Sequence, residues 1–234
     1  MAILKVTRFI QDPAYCAVAA CAALSNYYNR TITYESTKAL ADSKYHNISK
    51  EGLSSPEMGL LLNEIGFRYV SVISCQLDFL DMSWAKMSKK ELLSTLTDAK
   101  KKRADYRQTM ADYIAFLEND VHNKLIIDWD FGSYIMDEIK AGRPLISSYN
   151  WTMFFKFSKY SGKKVDPING VGEEHAVVIN GCDNNGVNIV DSHNEYYKYS
   201  LKKYRKGRYK IKWNNMMTII GEGDLIIAHN HDLV

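Results

Sequence analysis

Two apolar, β-branched stretches, Ala176-Val177-Val178-Ile179 and Val187 to Val190, flank the tetrad Asp183-Asn184-Asn185-Gly186, and no other pattern constrains the chain as strongly. Asn and Gly accept the backbone conformations of tight hairpin turns, while β-branched residues suit a pleated surface. The stretch is expected to form an antiparallel hairpin with strands at 175–180 and 187–191. Such pairing brings the start of the first strand near the end of the second. His175 and Asp191, which bound the hairpin, are therefore expected to meet. A carboxylate in that place orients an imidazole and stabilises its charged form.

A thiol completes the chemistry. The segment Gln11-Asp12-Pro13-Ala14-Tyr15-Cys16-Ala17-Val18-Ala19-Ala20 passes from an extended, Pro-containing lead into an Ala-rich run expected to be helical to about Asn29. A sulfur at a helix start meets the positive end of the helix dipole, which favours thiolate. Cys16 with a distant His and a distant Asp suits nucleophilic catalysis. The Gln11 amide, together with the Cys16 N–H, suits binding of an oxyanion. Read alone, these residues leave alternatives open. Cys16 equally suits a small core position, His193 competes with His175 as base, and Asn188 or Asn194 competes with Asp191. Cys21 and Cys182 read as packed residues. The chain has no CxxC pair, and His46, His122, His229 and His231 lack companions at ligand spacing, so neither a metal nor a cofactor is expected.

With 234 residues, the chain can build one sizeable core. Its net charge of +3 is too small to name a partner. Met1 to Ile10 is interrupted by Lys5 and Arg8 and does not read as a signal peptide, and no run approaches the roughly 20 apolar residues of a membrane span. The four cysteines are accordingly expected to be reduced, in the cytoplasm. Helices are expected at 34–44 and at 56–65, the latter capped by Ser54 and closed by Gly66, with a strand at 67–74. Residues 88–122 are charged and free of Gly and Pro, and they open with the capping box Ser88-Lys89-Lys90-Glu91. Their apolar positions form a helical face broken by Arg103. This reads as one long or broken helix packed on its own domain, or as a lobe that binds a protein partner or covers a site. Further strands are expected at 145–149, 209–213 and 225–229. Helices first and antiparallel strands last indicate an α+β fold. Tyrosines are interleaved among the basic residues over 198–212. They read as a solvated hairpin edge guarded by lysines, with nucleic-acid binding as the rival.

The Gln11…Tyr15-Cys16-Ala17-x-Ala-Ala start, the run His175-Ala-Val-Val-Ile-Asn-Gly-Cys-Asp183 and Asn188-Ile-Val-Asp191 together resemble papain-like cysteine peptidases, the C39-like group in particular. Gly66-Phe67 and Glu138-Ile-Lys-Ala-Gly-Arg-Pro-Leu-Ile146 agree, and the resemblance spans residues 9–75 and 132–200. It implies a papain-like α+β domain over 1–234, its nucleophile helix packed against a C-terminal antiparallel sheet, with a helical insertion at 77–130. It also implies Cys16 as nucleophile, His175 as base, Asp191 as orienting acid, Gln11 as oxyanion donor and a peptide or protein as substrate. Two positions depart from the family pattern: Ala17 stands where glycine is usual, and Gln11 lies one residue nearer to the cysteine. Gln-x-Pro-Ala-Tyr-Cys also resembles the nucleophile segment of phytochelatin synthases, papain-like transpeptidases acting on glutathione. Acylation of the thiol is common to both. They differ in whether water or an amine then takes the acyl group.

Overall fold

The structure is a computed structural model that describes residues 3–162, 164–194, 204, 206–221 and 223–230. Four helices come first: α1 (Cys16–Tyr28), α2 (Tyr34–Lys44), α3 (Ile48–Glu51) and α4 (Ser55–Ile65). The local signals set their ends. Thr33 and Ser54 cap α2 and α4 through reciprocal capping boxes, and Gly66 closes α4 in the left-handed region at φ 117°. Strand β1 (Tyr69–Ser74) follows, then α5 (Lys89–Lys102), α6 (Arg107–Asn119) and β2 (Lys124–Ile127). The helical stretch breaks at Arg103, whose backbone leaves the helical region, and a single 3-10 turn at Ala104–Tyr106 lets α6 fold back on α5. β2 was not apparent from the sequence.

The second half comprises α7 (Phe131–Lys140), β3 (Leu145–Asn150), α8 (Trp151–Phe155), the short strands β4 (Tyr160–Ser161) and β5 (Lys164–Val165), β6 (Glu174–Asp183), β7 (Gly186–Val190), β8 (Arg208–Ile211), α9 (Trp213–Ile220) and β9 (Asp224–His229). The strand expected over 209–213 ends at Ile211, and Trp213 instead opens α9, its indole N–H donating to the Asp183 carbonyl at 2.7 Å. Seven strands form one sheet in the order β2-β1-β9-β3-β6-β7-β8, antiparallel except for the β1–β2 pair. The α+β expectation holds. Among the described residues no helix is long and apolar enough to cross a membrane.

Alternation along the strands divides the core into two layers. Ala176, Val178 and Val190 face α1, α4 and α6, whereas Val177, Ile179 and Ile189 face α7 and α9. The α5–α6 pair belongs to the first layer, where Leu96, Met110, Phe116 and Leu117 are fully buried with α1 and α4. A polar contact ties it to the sheet as well. Tyr113 donates its hydroxyl to the buried Asp224 at 3.2 Å, and Gln76 Nε2 does the same at 3.2 Å. Burial raises the Asp224 pKa against these donors.

Gly59 allows α4 and α6 their close approach, since a Cβ there would lie 2.5 Å from the Phe116 ring. Overpacking costs about 1–3 kcal/mol and exceeds the roughly 1 kcal/mol that alanine adds to a helix. Gly59→Ala is therefore expected to lower stability by up to about 2 kcal/mol in urea denaturation, and Phe116→Leu in the same chain should recover part of it. An unchanged or raised midpoint would show that the contact does not limit the packing.

Candidate active site

Cys16 is the first residue of α1. Its own N–H therefore has no acceptor within the helix. The lead into it is bent: Ala14 occupies the left-handed region at φ 68°, and the Tyr15 N–H closes back on the Asp12 carbonyl at 3.1 Å. Helix α2 pins that bend. The Tyr34 hydroxyl accepts from the Asp12 N–H at 2.9 Å, and the Tyr15 hydroxyl donates to Asp42 at 2.7 Å.

The His175 side chain and the N–H groups of Ala17 and Ala176 lie near enough to the Cys16 sulfur to lower its pKa. His175 Nε2 lies 2.8 Å from Asp191 Oδ1, and the two residues are 4 % and 0 % exposed. With Nε2 engaged by the carboxylate, Nδ1 is the ring nitrogen left for the sulfur. Burial alone raises a thiol pKa, but His175 and the two N–H donors outweigh it and hold Cys16 below the ordinary 9.0. Burial of the imidazole disfavours its charge. The Asp191 carboxylate and the Cys16 sulfur reverse that and push its pKa from 6.5 up to about 10. The two shifts favour thiolate together with imidazolium, a pairing lost by protonation of sulfur as pH falls and by deprotonation of the ring as pH rises through about 10.

A bulge sets which face Asp191 uses. Ile179 pairs with Ile189 but Gly181 with Asn188, leaving Asn180 as an extra residue on β6. Continued unbroken from Gly181, the ladder would place Asp191 opposite Val178, on the α1 face. With the extra residue, Val178 pairs with Val190 and Asp191 falls in phase with His175. The N-terminal segment takes up the polar groups of the bulge: Leu4 donates its N–H to the Asn180 carbonyl and accepts from Asn180 Nδ2, both at 2.7 Å.

Asp191 is held from several sides. Its Oδ1 also accepts the His193 N–H at 2.8 Å, and its Oδ2 accepts the Tyr209 hydroxyl at 2.6 Å. Tyr209 in turn hydrogen-bonds the hydroxyl of the fully buried Tyr149 at 3.0 Å. Arg8 brackets the loop, with Nε donating to the Asp191 carbonyl at 2.6 Å and Nη2 to the His193 carbonyl at 2.7 Å. The sequence reading missed Arg8 and Tyr209. Tyr209 sits on β8 opposite Ile189, so only the order of strands reveals it.

The remaining sequence candidates fall around this centre. Gln11 lines the same cleft as Cys16 and His175, its backbone N–H donating to the Ser192 carbonyl at 3.3 Å. The Ser192 hydroxyl donates to Gln11 Oε1 at 2.6 Å. His193 and Asn194 also line the cleft, the His193 ring lying 5.2 Å from Trp151 and 6.0 Å from His175. Asn188 lies on β7 opposite Gly181 and Lys210. Cys21 and Cys182 are buried, and burial raises the Cys21 thiol pKa above the ordinary range. No cluster of metal-ligating side chains occurs among the described residues. Lys198, Tyr199, Lys202, Lys203, Arg205 and His231 lie outside the described residues. In the rest of the basic segment, Arg208 donates to the Val6 carbonyl at 2.6 Å and Lys210 pairs with Asp183.

The cleft measures about 1240 Å³. Besides the residues named, Ser54 and Glu57 of the α4 start and Gln108 and Asp112 of α6 line it, so the 77–130 segment supplies part of its wall. A partly exposed thiol beside a buried imidazole–carboxylate pair, on the wall of such a cleft, is equipped for attack on a carbonyl and proton delivery to a leaving group.

The family model described as the Peptidase C39 like family matches residues 3–219. The chain belongs to that family. At family level it is a papain-like cysteine peptidase, and a peptidase family implies peptide or protein substrates. A solved structure from Bacillus anthracis, described as a candidate C39-like peptidase, is similar over 99 % of this chain and 98 % of its own, with 14 % sequence identity and a TM-score of 0.49. No curated protein matches.

The pH dependence of Cys16 alkylation by iodoacetamide tests the electrostatics. The midpoint is expected below 9.0 in the parent. In His175→Ala it is expected to rise relative to the parent, because burial is then opposed only by the two N–H groups. A parent midpoint at or above the ordinary value contradicts the arrangement.

Proposed function

We propose that this C39-like family member cleaves peptide or isopeptide bonds through Cys16, His175 and Asp191 and a thioester acyl-enzyme. The observation that supports the reading is the buried His175–Asp191 hydrogen bond on the wall of the cleft that Cys16 also lines, with His175 lowering the Cys16 pKa. Residues 1–234 are read as one peptidase domain in which 77–130 is an insertion contributing to that wall. A reactive thiolate at its centre suits a reducing, cytoplasmic setting.

The Cys16 thiolate adds to the amide carbonyl, forming the S–C bond and moving the carbonyl electron pair onto oxygen. Gln11 Nε2 and the Cys16 N–H, which has no acceptor within the helix, stabilise that oxyanion. Collapse breaks the C–N bond as imidazolium His175 hands its Nδ1 proton to the departing amine. A water then attacks the thioester, His175 takes its proton, and the acid and the thiolate are released. Asp191 keeps the ring aimed throughout and favours its charged form.

A peptidyl acyloxymethyl ketone followed by intact-mass measurement tests the reading. The adduct is expected on Cys16 in the parent and absent in Cys16→Ala. Its rate of formation should fall by about 10²–10⁴ in His175→Ala. Labelling at another cysteine, or an unchanged rate in His175→Ala, would overturn the mechanism. Adding an amine during turnover of an activated ester reads the fate of the acyl group: an acid product supports hydrolysis, and a dominant amide product shows a transferase instead.

A further inference from the structure

The peptidase reading uses Gln11 as an oxyanion donor, yet Gln11 lies in the extended lead before the helix and one residue nearer to Cys16 than the family spacing. Something other than distance along the chain must fix its amide. The segment that follows Asp191 does so. Gln11 N–H donates to the Ser192 carbonyl at 3.3 Å, which ties the two backbones together. The Ser192 hydroxyl, on a residue only 7 % exposed, donates to Gln11 Oε1 at 2.6 Å.

A primary amide has an acceptor end and a donor end. A hydroxyl that engages Oε1 removes the acceptor from the cleft and leaves the Nε2 donors as the end that can meet an oxyanion. An unheld amide can present either end, and presenting Oε1 to a developing negative charge is repulsive. Ser192 is itself immobilised on both sides. Arg8 binds the carbonyls of Asp191 and His193, and the Asp191 N–H donates to the Gly207 carbonyl at 2.8 Å.

We propose that Ser192 is a positioning residue for the oxyanion hole, locking the Gln11 amide with its N–H groups toward the scissile carbonyl. One short segment then serves two tasks: Asp191 aims the base, and Ser192 aims the oxyanion donor. The inference rests on the reading of Cys16 as nucleophile and Gln11 as donor, and it adds a residue that takes no part in the proton transfers.

Two probes separate oxyanion stabilisation from thiolate reactivity. With p-nitrophenyl acetate, the thiolate adds to the ester carbonyl, an oxyanion forms, and p-nitrophenolate leaves with the C–O electron pair, giving the acetyl thioester. With iodoacetamide, sulfur displaces iodide at a saturated carbon and no oxyanion arises. Ser192→Ala is expected to slow acetylation of Cys16 roughly tenfold, a part of what losing one oxyanion donor costs, while alkylation stays within about twofold of the parent. Gln11→Ala should slow acetylation at least as much, and Ser192→Ala should add nothing in the Gln11→Ala background. Unchanged acetylation in Ser192→Ala overturns the proposal. So does an equal fall in acetylation and alkylation, or the same loss in both backgrounds, either of which marks a merely structural role. The underlying reading fails in a different way: the parent itself would not be acetylated at Cys16, or Gln11→Ala would acetylate like the parent.

Discussion

The hydrogen bond between the His175 ring and the Asp191 carboxylate is the interaction on which the rest of the site depends. Both groups are buried, and an imidazolium or a carboxylate placed there alone would be costly. Together, and joined to the Cys16 sulfur, each makes the charge of the other tolerable, so His175 is held protonated at a pH where a free histidine would be neutral. His175, with the N–H groups of Ala17 and Ala176, is what lowers the thiol pKa against its own burial. Asp191 is correspondingly over-determined, with the His193 N–H, the Tyr209 hydroxyl and the Arg8 clamp fixing its side chain and backbone. Such second partners hold a buried carboxylate in one orientation and answer its remaining lone pairs.

The same dependence reaches into the fold. The pair exists only because a one-residue bulge at Asn180 puts Asp191 on the His175 side of the sheet. The N-terminal segment keeps that bulge satisfied through Leu4, and a few residues later carries Gln11 to Ser192 and Cys16 to the start of α1. The proposed nucleophile, the proposed oxyanion donor and the bulge support thus lie on one short stretch laid along the β6–β7 hairpin. A packing fault in that stretch would be felt at each of the three.

The placement of Cys16, His175 and Asp191 was legible in the sequence because each sits at an element boundary marked by local chemistry: an Ala-rich helix start, and the two ends of a hairpin with an Asn-Gly turn. Helix ends with capping boxes were legible for the same reason, as at Ser54 and Ser88. Other features were not, because their signal is non-local. β2 gains its strand character by pairing with β1. The Asn180 bulge carries no compositional mark, although it decides the phase of Asp191. Tyr209 and Arg208 looked like part of a basic, aromatic stretch until strand order turned Tyr209 toward Asp191 and carried Arg208 to Val6. Ser192 gains its meaning only from a partner 181 positions away.

The central claim is a thiolate–imidazolium pair held in place by Asp191, and nitrogen NMR of the labelled His175 ring reads it directly. In the resting protein at neutral pH the ring is expected to carry protons on both nitrogens, to keep them until the pH approaches about 10, and to titrate at a lower pH in Cys16→Ala. A His175 ring that is neutral at pH 7, or whose titration is the same with and without the Cys16 sulfur, would contradict the account.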